Sequence, residues 1–549
     1  MATRTQKDRT PKEKKNLSSA FNLGGAQAEA DPLLSAAFQL TGDYEAIESL
    51  QDPRCFVIGR TGSGKSAALT TLERANKEHI IRLSPENLAL QYITDQQVFK
   101  YLRSLDVEID SFWRALWKHV LLVEIIRKRY RIEGQYEKAT FIESLKERIT
   151  KDSGKKRALE YFSEFEDKFW NEADERVRDI TESLSRNIEL EAGLGFDFTP
   201  IDARIGALKS SAYTKEEKKQ YVDRFTRVVN QSQLTKMNKM IEVLDEDILD
   251  SHHNHMYVII DDLDLDWVES DTKNDLIRSL FRVVHDLQKV RHLKVVVALR
   301  TNLLEQIDFG RSAGQEEKYR SLILNLSWTP ADLKELIDRR VQVVANERHH
   351  SITKLAEILP SKNQRMGDPF QYIIDRTLLR PRDLISFANE CISAASGTPY
   401  ITWEHIKHAE YNYSAGRLLA FRDEWKATYP GIDKVLEVFR GASTRMEIPE
   451  FEQRLSDAML LSQDYPMSES DWLMNLSEGA WAPGETSREK MYGPLIKFLY
   501  KVGFVGCAVN SGAPTFATSD ARYLDVAGRL SGMRFAYVHR TYHRALDIA

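Results

Sequence analysis

Gly59-Arg60-Thr61-Gly62-Ser63-Gly64-Lys65-Ser66 is the stretch on which the reading of the fold turns. An apolar run, Arg54 to Ile58, precedes it and a segment of helical composition follows. The order is therefore strand, glycine-rich turn, helix, and every fixed position of GxxxxGK[ST] is met. Glycines let such a turn double back and aim its N–H groups inward as an anion nest. The helix that follows adds its positive N-terminal end. Lys65 is placed to bridge β- and γ-phosphates, the Ser66 hydroxyl to ligate Mg²⁺, and Ala67 to keep the first helical turn small. Gly59, Arg60, Thr61, Gly62, Ser63, Gly64, Lys65, Ser66 and Ala67 are thus the candidate nucleotide-binding residues, with ATP and Mg²⁺ the expected cofactors.

A triphosphate site of this kind needs a carboxylate at the end of a second apolar strand. Val258-Ile259-Ile260-Asp261-Asp262 supplies one. Asp261 is the expected partner of Ser66 around Mg²⁺, and Asp262 the expected group to polarise an attacking water. Further apolar runs stand at Met256–Ile260, Leu293–Leu299 and Ile323–Leu326, with His79–Leu83 earlier. Each is short and separated from the next by helical periodicity, which is the pattern of buried parallel strands. The expected fold class is α/β: a P-loop NTPase parallel sheet with a helical lid, a large helical insertion and a C-terminal winged-helix-like α+β domain.

These motifs together resemble the AAA-like P-loop ATPases of the KAP and STAND types. Within them the chain is similar to bacterial P-loop ATPases that open with a segment like Phe21-Asn22-Leu23-Gly24-Gly25-Ala26-Gln27-Ala28-Glu29-Ala30-Asp31. The resemblance covers about residues 21 to 416. It likens Arg300-Thr301-Asn302, at the end of the Val295 strand, to a sensor-1 segment. Leu326-Ser327-Trp328 and the helix ending in Arg339-Arg340 resemble the start of the lid. Leu379-Arg380-Pro381-Arg382-Asp383-Leu384 resembles the sensor-2 segment, with Arg382 the best positional match for an arginine that reaches the γ-phosphate. The resemblance implies that Lys65, Asp261, Asp262 and Arg382 carry catalysis, that Asn302 reads the nucleotide, and that oligomerisation follows nucleotide state. The chain departs from the pattern at Asp262, where many AAA+ enzymes have glutamate, and slow turnover is the expectation. Arg311 and Arg320 are candidates for an arginine finger.

Composition sets the frame. With 549 residues, a length near 150 per domain implies roughly three or four structural units. Hydrophobic residues are 42% and charged residues 29%, ordinary for a globular chain with a sizeable core. A formal net charge of −5 excludes a tail-dominated nucleic-acid binder but leaves room for a local basic patch. No run approaches the ~20 apolar residues of a membrane helix, and no apolar segment follows the basic start, so no membrane partner and a cytoplasmic location are expected. Cys55, Cys391 and Cys507 are too scattered for a disulfide framework or a cysteine zinc site. The expected organisation is a disordered basic tail at 1–20 and an ATPase core at 21–90 and 251–329. A helical insertion fills 91–250, a lid 330–429 and the winged-helix-like domain 430–549. The charged stretch 138–250 reads as a solvated arm, interrupted by a β-hairpin where Leu194, Phe196 and Phe198 alternate before Thr199-Pro200, and Ile201, Ala203, Ile205 and Ala207 after it.

Three weaker patterns get plain readings. Thr272-Lys273-Asn274-Asp275 fits a guanine-recognition motif but is read as a helix start. His252-His253-Asn254-His255 is read as a polar loop, and Cys55 as a small core residue. From Met491 to Ala549 seven Lys+Arg stand against three Asp, a net +4. A basic helix with a wing can track phosphates, and a protein-docking module is the equal alternative. The functional expectation is therefore an ATP-binding, slowly hydrolysing switch that forms a homo-oligomer and organises a separate effector protein, with anti-phage defence as one setting. DNA engagement through the C-terminal domain and a nucleotide-bound scaffold without turnover are the alternatives.

Overall fold

The computed structural model describes residues 15–25, 27–85, 110–131, 143–144, 147, 234–264, 270–307, 316–464, 471–481, 484, 487–510 and 512–548. The expected hairpin at 194–207 and Arg311 lie outside them. Packing divides the chain into two units: Leu40–Arg60 with Lys65–Leu326, and Met1–Gln39 with Thr61–Gly64 and Ser327–Ala549.

The first unit is built on five parallel strands: β1 (Phe56–Ile58), β2 (Ile80–Leu83), β3 (Met256–Ile260), β4 (Leu293–Leu299) and β5 (Ile323–Asn325). Their order is β2-β3-β4-β1-β5, so β2, β3 and β4 follow one another in sequence and in the sheet, while β1 is inserted between β4 and β5. β3 and β4 are buried at every residue, which is why each appears as an unbroken apolar run and not an alternating one. Helices α1 (Gly42–Glu48), α2 (Lys65–Ala75), α3 (Asp110–Tyr130), α4 (Thr235–Val243), α5 (Ser270–Leu287) and α6 (Thr301–Gln306) surround the sheet. Phe281 of α5 stacks on Phe56 of β1, ring centroids 3.6 Å apart, and Trp117 of α3 donates its indole N–H to the Leu276 carbonyl at 2.9 Å. This is the α/β P-loop NTPase fold.

The end of the expected solvated arm is not an arm. Met237, Met240, Ile241, Val243, Leu244, Ile248 and Leu249 are buried in the same apolar cluster as β3, β4 and α3. Burial of that face outweighs the charge density of the segment before it.

The second unit carries α7 (Pro330–Glu347), α8 (Pro369–Ile374), α9 (Pro381–Ala394) and α10 (Trp403–Trp425). Thr329 caps α7 in a full capping box with Asp332 and Pro330 follows, as the sequence predicts. Residues from the chain's start pack here too. Leu17 is buried, its N–H donates to the Thr398 carbonyl at 2.8 Å, and the Leu17 carbonyl accepts the Gly397 N–H at 2.8 Å. The expected tail at 1–20 therefore includes a core residue, and Phe21, Leu23 and Leu33 extend the same cluster.

The unit ends in α11 (Ile432–Glu437), β6 (Met446–Glu447), α12 (Ile448–Leu460), α13 (Trp472–Ser477), α14 (Gly493–Lys501), β7 (Val505–Ala508) and β8 (Phe535–Val538). The three strands are antiparallel in the order β6-β8-β7. The order is helix, strand, three helices, strand, strand, with the first strand beside the last. The expected boundary at 429 is no break in packing: Phe421 and Trp425 of α10 share one apolar cluster with Phe439, Phe451 and Phe504. Among the described residues no helix is long and apolar enough to cross a membrane.

Candidate functional site

In the first unit the loop leaves β1 and Asp261 leaves β3, at the same carboxyl edge of the sheet. Register makes this firm: Ile260 pairs with Val297, Val297 with Phe56, and Leu299 with Ile58. One strand lies between, so at about 4.8 Å per strand the two ends stand roughly 10 Å apart. A crevice outside the carboxyl ends of parallel strands is where open α/β sheets bind ligands. Lys65 and Ser66 open the eleven-residue α2, and the Lys65 ammonium lies 2.6 Å from the Gly59 carbonyl and 3.3 Å from that of Arg60. Gly62 and Gly64 have φ of +83° and +100°, conformations that glycine alone adopts without strain.

Asp261 is buried and both its oxygens are engaged. Oδ2 meets the Arg82 guanidinium at 2.7 Å, and Oδ1 accepts the Asp262 N–H at 3.0 Å. Arg82 also reaches Glu73 of α2 at 3.1 Å. Burial disfavours its charge, yet Asp261 and Glu73 outweigh that and hold the guanidinium above its ordinary pKa. Asp262 is exposed, with a left-handed φ of +61°. Asp264 forms an ion pair with Arg300, which caps α6, so Arg300 is committed to that carboxylate. Asn302 stands half-buried in the first turn of α6, beyond β4 and hence between the β1 and β3 ends.

The tip of the loop, Thr61–Gly64, belongs to the second unit. There the Trp328 indole donates to the Ser63 carbonyl at 2.8 Å, and the Arg382 N–H donates to that of Gly62 at 3.4 Å. The Arg382 side chain lies along Gly62 so closely that a Cβ on Gly62 would stand 2.8 Å from the Arg382 Cβ. Burial, with the Arg417 cation nearby, presses the Arg382 guanidinium below its ordinary pKa.

The donor set fits a triphosphate with a hard divalent cation. It has an ammonium and a helix N-terminus for phosphate oxygens, and a hydroxyl and a carboxylate for Mg²⁺. Sequence reasoning did not single out Arg82, whose only signal was one cation in the apolar strand Ile80-Ile81-Arg82-Leu83. It also passed over Glu424, whose Oε1 accepts the Thr61 N–H at 3.4 Å and which nothing local distinguishes.

The remaining candidates fall elsewhere. Thr272 to Asp275 lie in the first turns of α5, and His252–Asn254 form a single 3-10 turn. Cys55 is buried, and burial pushes its thiol up to about 12. Arg320 ends the short helix Glu316–Arg320 and is exposed. On α14 Lys497 and Lys501 are exposed, while Arg540 is engaged by Asp375 at 2.8 Å.

Residues 331–422 match the FunZ-associated C-terminal helical domain family. Over 511 residues the chain is 22% identical to the putative transposon gamma-delta 80.3 kDa protein of Escherichia coli (strain K12). That alignment takes in 89% of this chain and 62% of the relative, so the chain spans less than two thirds of its relative's length. Two solved structures are similar at low identity. Cdc6p from Pyrobaculum aerophilum is 10% identical, with 86% of this chain and 85% of that chain covered at a TM-score of 0.25. The Aeropyrum pernix ORC1 protein in complex with DNA is 12% identical, with 95% and 96% covered at a TM-score of 0.31. The fold assignment rests on the strand order above and not on these scores.

Proposed function

We propose that the chain is an ATP-binding, slowly hydrolysing molecular switch of the AAA-like type. The observation that carries this reading is the placement of Gly59 and Arg60 after β1, of Lys65 and Ser66 at the start of α2 and of Asp261 after β3 within the unit built on the β2-β3-β4-β1-β5 sheet. In this reading the N–H groups of the loop and the Lys65 ammonium hold the phosphates. Ser66 and Asp261 hold Mg²⁺, whose charge favours phosphoryl transfer when it is bound. Asp262 orients a water from its exposed position, and Arg382 and Asn302 sense the terminal phosphate. A homo-oligomer that organises a separate effector, and a place among the KAP and STAND types with a role in anti-phage defence, extend the proposal on the strength of the sequence resemblance.

One observation favours a second reading, DNA engagement. Lys497 and Lys501 are exposed on the otherwise largely buried α14 of a winged-helix-like domain. Calorimetry with Mg·ATP and turnover assays with and without double-stranded DNA test both. Micromolar ATP uptake, lost in Lys65→Ala, and basal turnover lost in Asp262→Asn support the switch. Turnover stimulated by DNA and abolished in Lys497→Ala/Lys501→Ala supports the second reading. No uptake by the native chain refutes both.

A further inference from the structure

We propose that Arg380 and Glu424 are a positioning pair that sets the shape of the phosphate-loop tip by gripping the Thr61 residue at both its polar backbone groups. The consequence for ATP rests on the nucleotide-binding reading above; the grip itself rests on geometry alone. Arg380 is the N-cap of α9 and Glu424 lies in the last turn of α10. The Arg380 Nη1 donates to the Thr61 carbonyl at 3.0 Å and faces the Glu424 Oε2 at 3.4 Å. The Thr61 N–H donates to the Glu424 Oε1 at 3.4 Å. The two side chains are only 10% and 7% exposed.

The grip has a direction. A carbonyl oxygen is the negative end of its bond dipole and an N–H the positive end. The cation therefore has to stand on the carbonyl side of Thr61 and the anion on the N–H side, as they do. Neighbouring contacts repeat the pattern, since Gly62 gives its carbonyl to the Arg382 N–H and Ser63 gives its carbonyl to the Trp328 indole. Three consecutive carbonyls, of Thr61, Gly62 and Ser63, are thus each taken by a donor from residues 328–382. In a trans peptide the C=O of one residue and the N–H of the next point in opposite directions. Tying down those three carbonyls turns the N–H groups of Gly62, Ser63 and Gly64 away from the donors, which is what an anion nest requires. A further sign points to an anion. The Arg380 Nη2, Thr61 Oγ1 and Ser63 Oγ are buried with no hydrogen-bond partner among the described residues, and buried polar groups are rarely left so without a ligand or water to serve them.

A plain stabilising ion pair and a directional grip behave differently when the charges are exchanged. The test compares Glu424→Gln, Arg380→Ala and the exchange Arg380→Glu/Glu424→Arg in the full chain. Three readouts are used: melting temperature, residue-resolved amide hydrogen exchange across 59–66 without nucleotide, and Mg·ATP affinity by calorimetry. We expect each single variant to speed exchange at Thr61 at least tenfold and to weaken ATP binding at least tenfold. The exchange variant should recover the melting temperature but neither the exchange protection nor the affinity, because the Thr61 carbonyl would then face a carboxylate. Glu424→Gln keeps the side-chain shape and reads the grip if Arg380→Ala fails to fold. Unchanged Thr61 exchange in both singles, or recovery of protection and affinity on charge exchange, overturns the proposal. Faster Thr61 exchange in the variants of a chain that never binds ATP keeps the grip and removes the nucleotide reading.

Discussion

The GxxxxGK pattern leaves position 62 open to any residue, but the structure does not, and Gly62→Ala measures the difference. Two costs add. The backbone at 62 has φ +83°, where an L side chain costs about 1–2 kcal/mol. The new Cβ would also stand 2.8 Å from the Arg382 Cβ, 3.1 Å from its Cδ and 3.3 Å from its Nε. Carbon atoms rest about 3.5–4.0 Å apart, and the Arg382 Cβ is fixed to the α9 backbone and cannot rotate away. Overpacking of this kind costs about 1–3 kcal/mol. Gly397→Ala is the control, because Gly397 has φ +88° with nothing near its missing Cβ and so carries the first cost alone. We expect Gly62→Ala to weaken ATP binding about 30- to 4,000-fold, the two costs together being about 2–5 kcal/mol at about 1.4 kcal/mol per tenfold, and Gly397→Ala to leave it unchanged. A double-mutant cycle isolates the clash. On an Arg382→Gly background, where that Cβ is gone, Gly62→Ala should lose only the backbone part, leaving a coupling of about 1–3 kcal/mol between the two positions. The same penalty on both backgrounds, or native affinity in Gly62→Ala, refutes the reasoning.

Two further perturbations probe the first unit. Arg82→Met leaves the buried Asp261 carboxylate without its cation. Because Arg82 is 28% exposed, the loss should fall below the 3–5 kcal/mol of a fully buried pair, at about 2 kcal/mol. Thermal melts should show a lower midpoint without ligand and a larger rise on adding Mg·ATP than in the native chain, and an unchanged ligand-free midpoint removes the assignment. Lys294 gives a pH dependence. Its ammonium donates to the carbonyls of Ala46, Ser49 and Asp52 at 2.5, 2.6 and 3.0 Å, and burial pushes its pKa down to about 8. Between that value and an unfolded one near 10.4 the unfolded chain binds more protons, so raising the pH favours the folded state. Urea unfolding of the native chain relative to Lys294→Met should be flat below pH 8 and then gain up to about 3 kcal/mol by pH 10.5. Parallel profiles across that window contradict it.

How far the sequence could be read depends on where the deciding partner lies. β3 and β4 run from Met256 to Ile260 and from Leu293 to Leu299, as the apolar runs predict, because strands buried on both faces need no information beyond their own composition. β1 is shorter than its run because the Arg54 N–H turns to the Asp52 side chain instead of a neighbouring strand. Leu17 had no local signal, since its backbone partners are Gly397 and Thr398, far along the chain. The buried face from Met237 to Leu249 was hidden by assigning it to the charged segment before it. The turn between β1 and α2 was legible because its glycines are written in eight consecutive positions. Arg82 and Glu424 were not, because each acts on a residue more than 170 positions away.

The same contrast bears on Asp262. By sequence it is a shortened version of the glutamate common in AAA+ enzymes, one methylene less than a well-placed base. In the structure its backbone is left-handed at φ +61°, directly after a strand whose last carboxylate, Asp261, accepts the Asp262 N–H. Aspartate is among the few non-glycine residues that enter this region readily, and glutamate is not. The turn that lets Asp261 take the N–H therefore favours the short acid at the next position. Asp261 then has one oxygen on that N–H and the other on Arg82, so a metal ion can gain it only by displacing or sharing a bond already made. On the proposed reading, a short acid on a constrained turn and a carboxylate already engaged would both slow turnover. Both fit the proposed switch, which binds nucleotide and turns it over slowly, and both reasons lie in backbone and ion-pair geometry that no motif spells out.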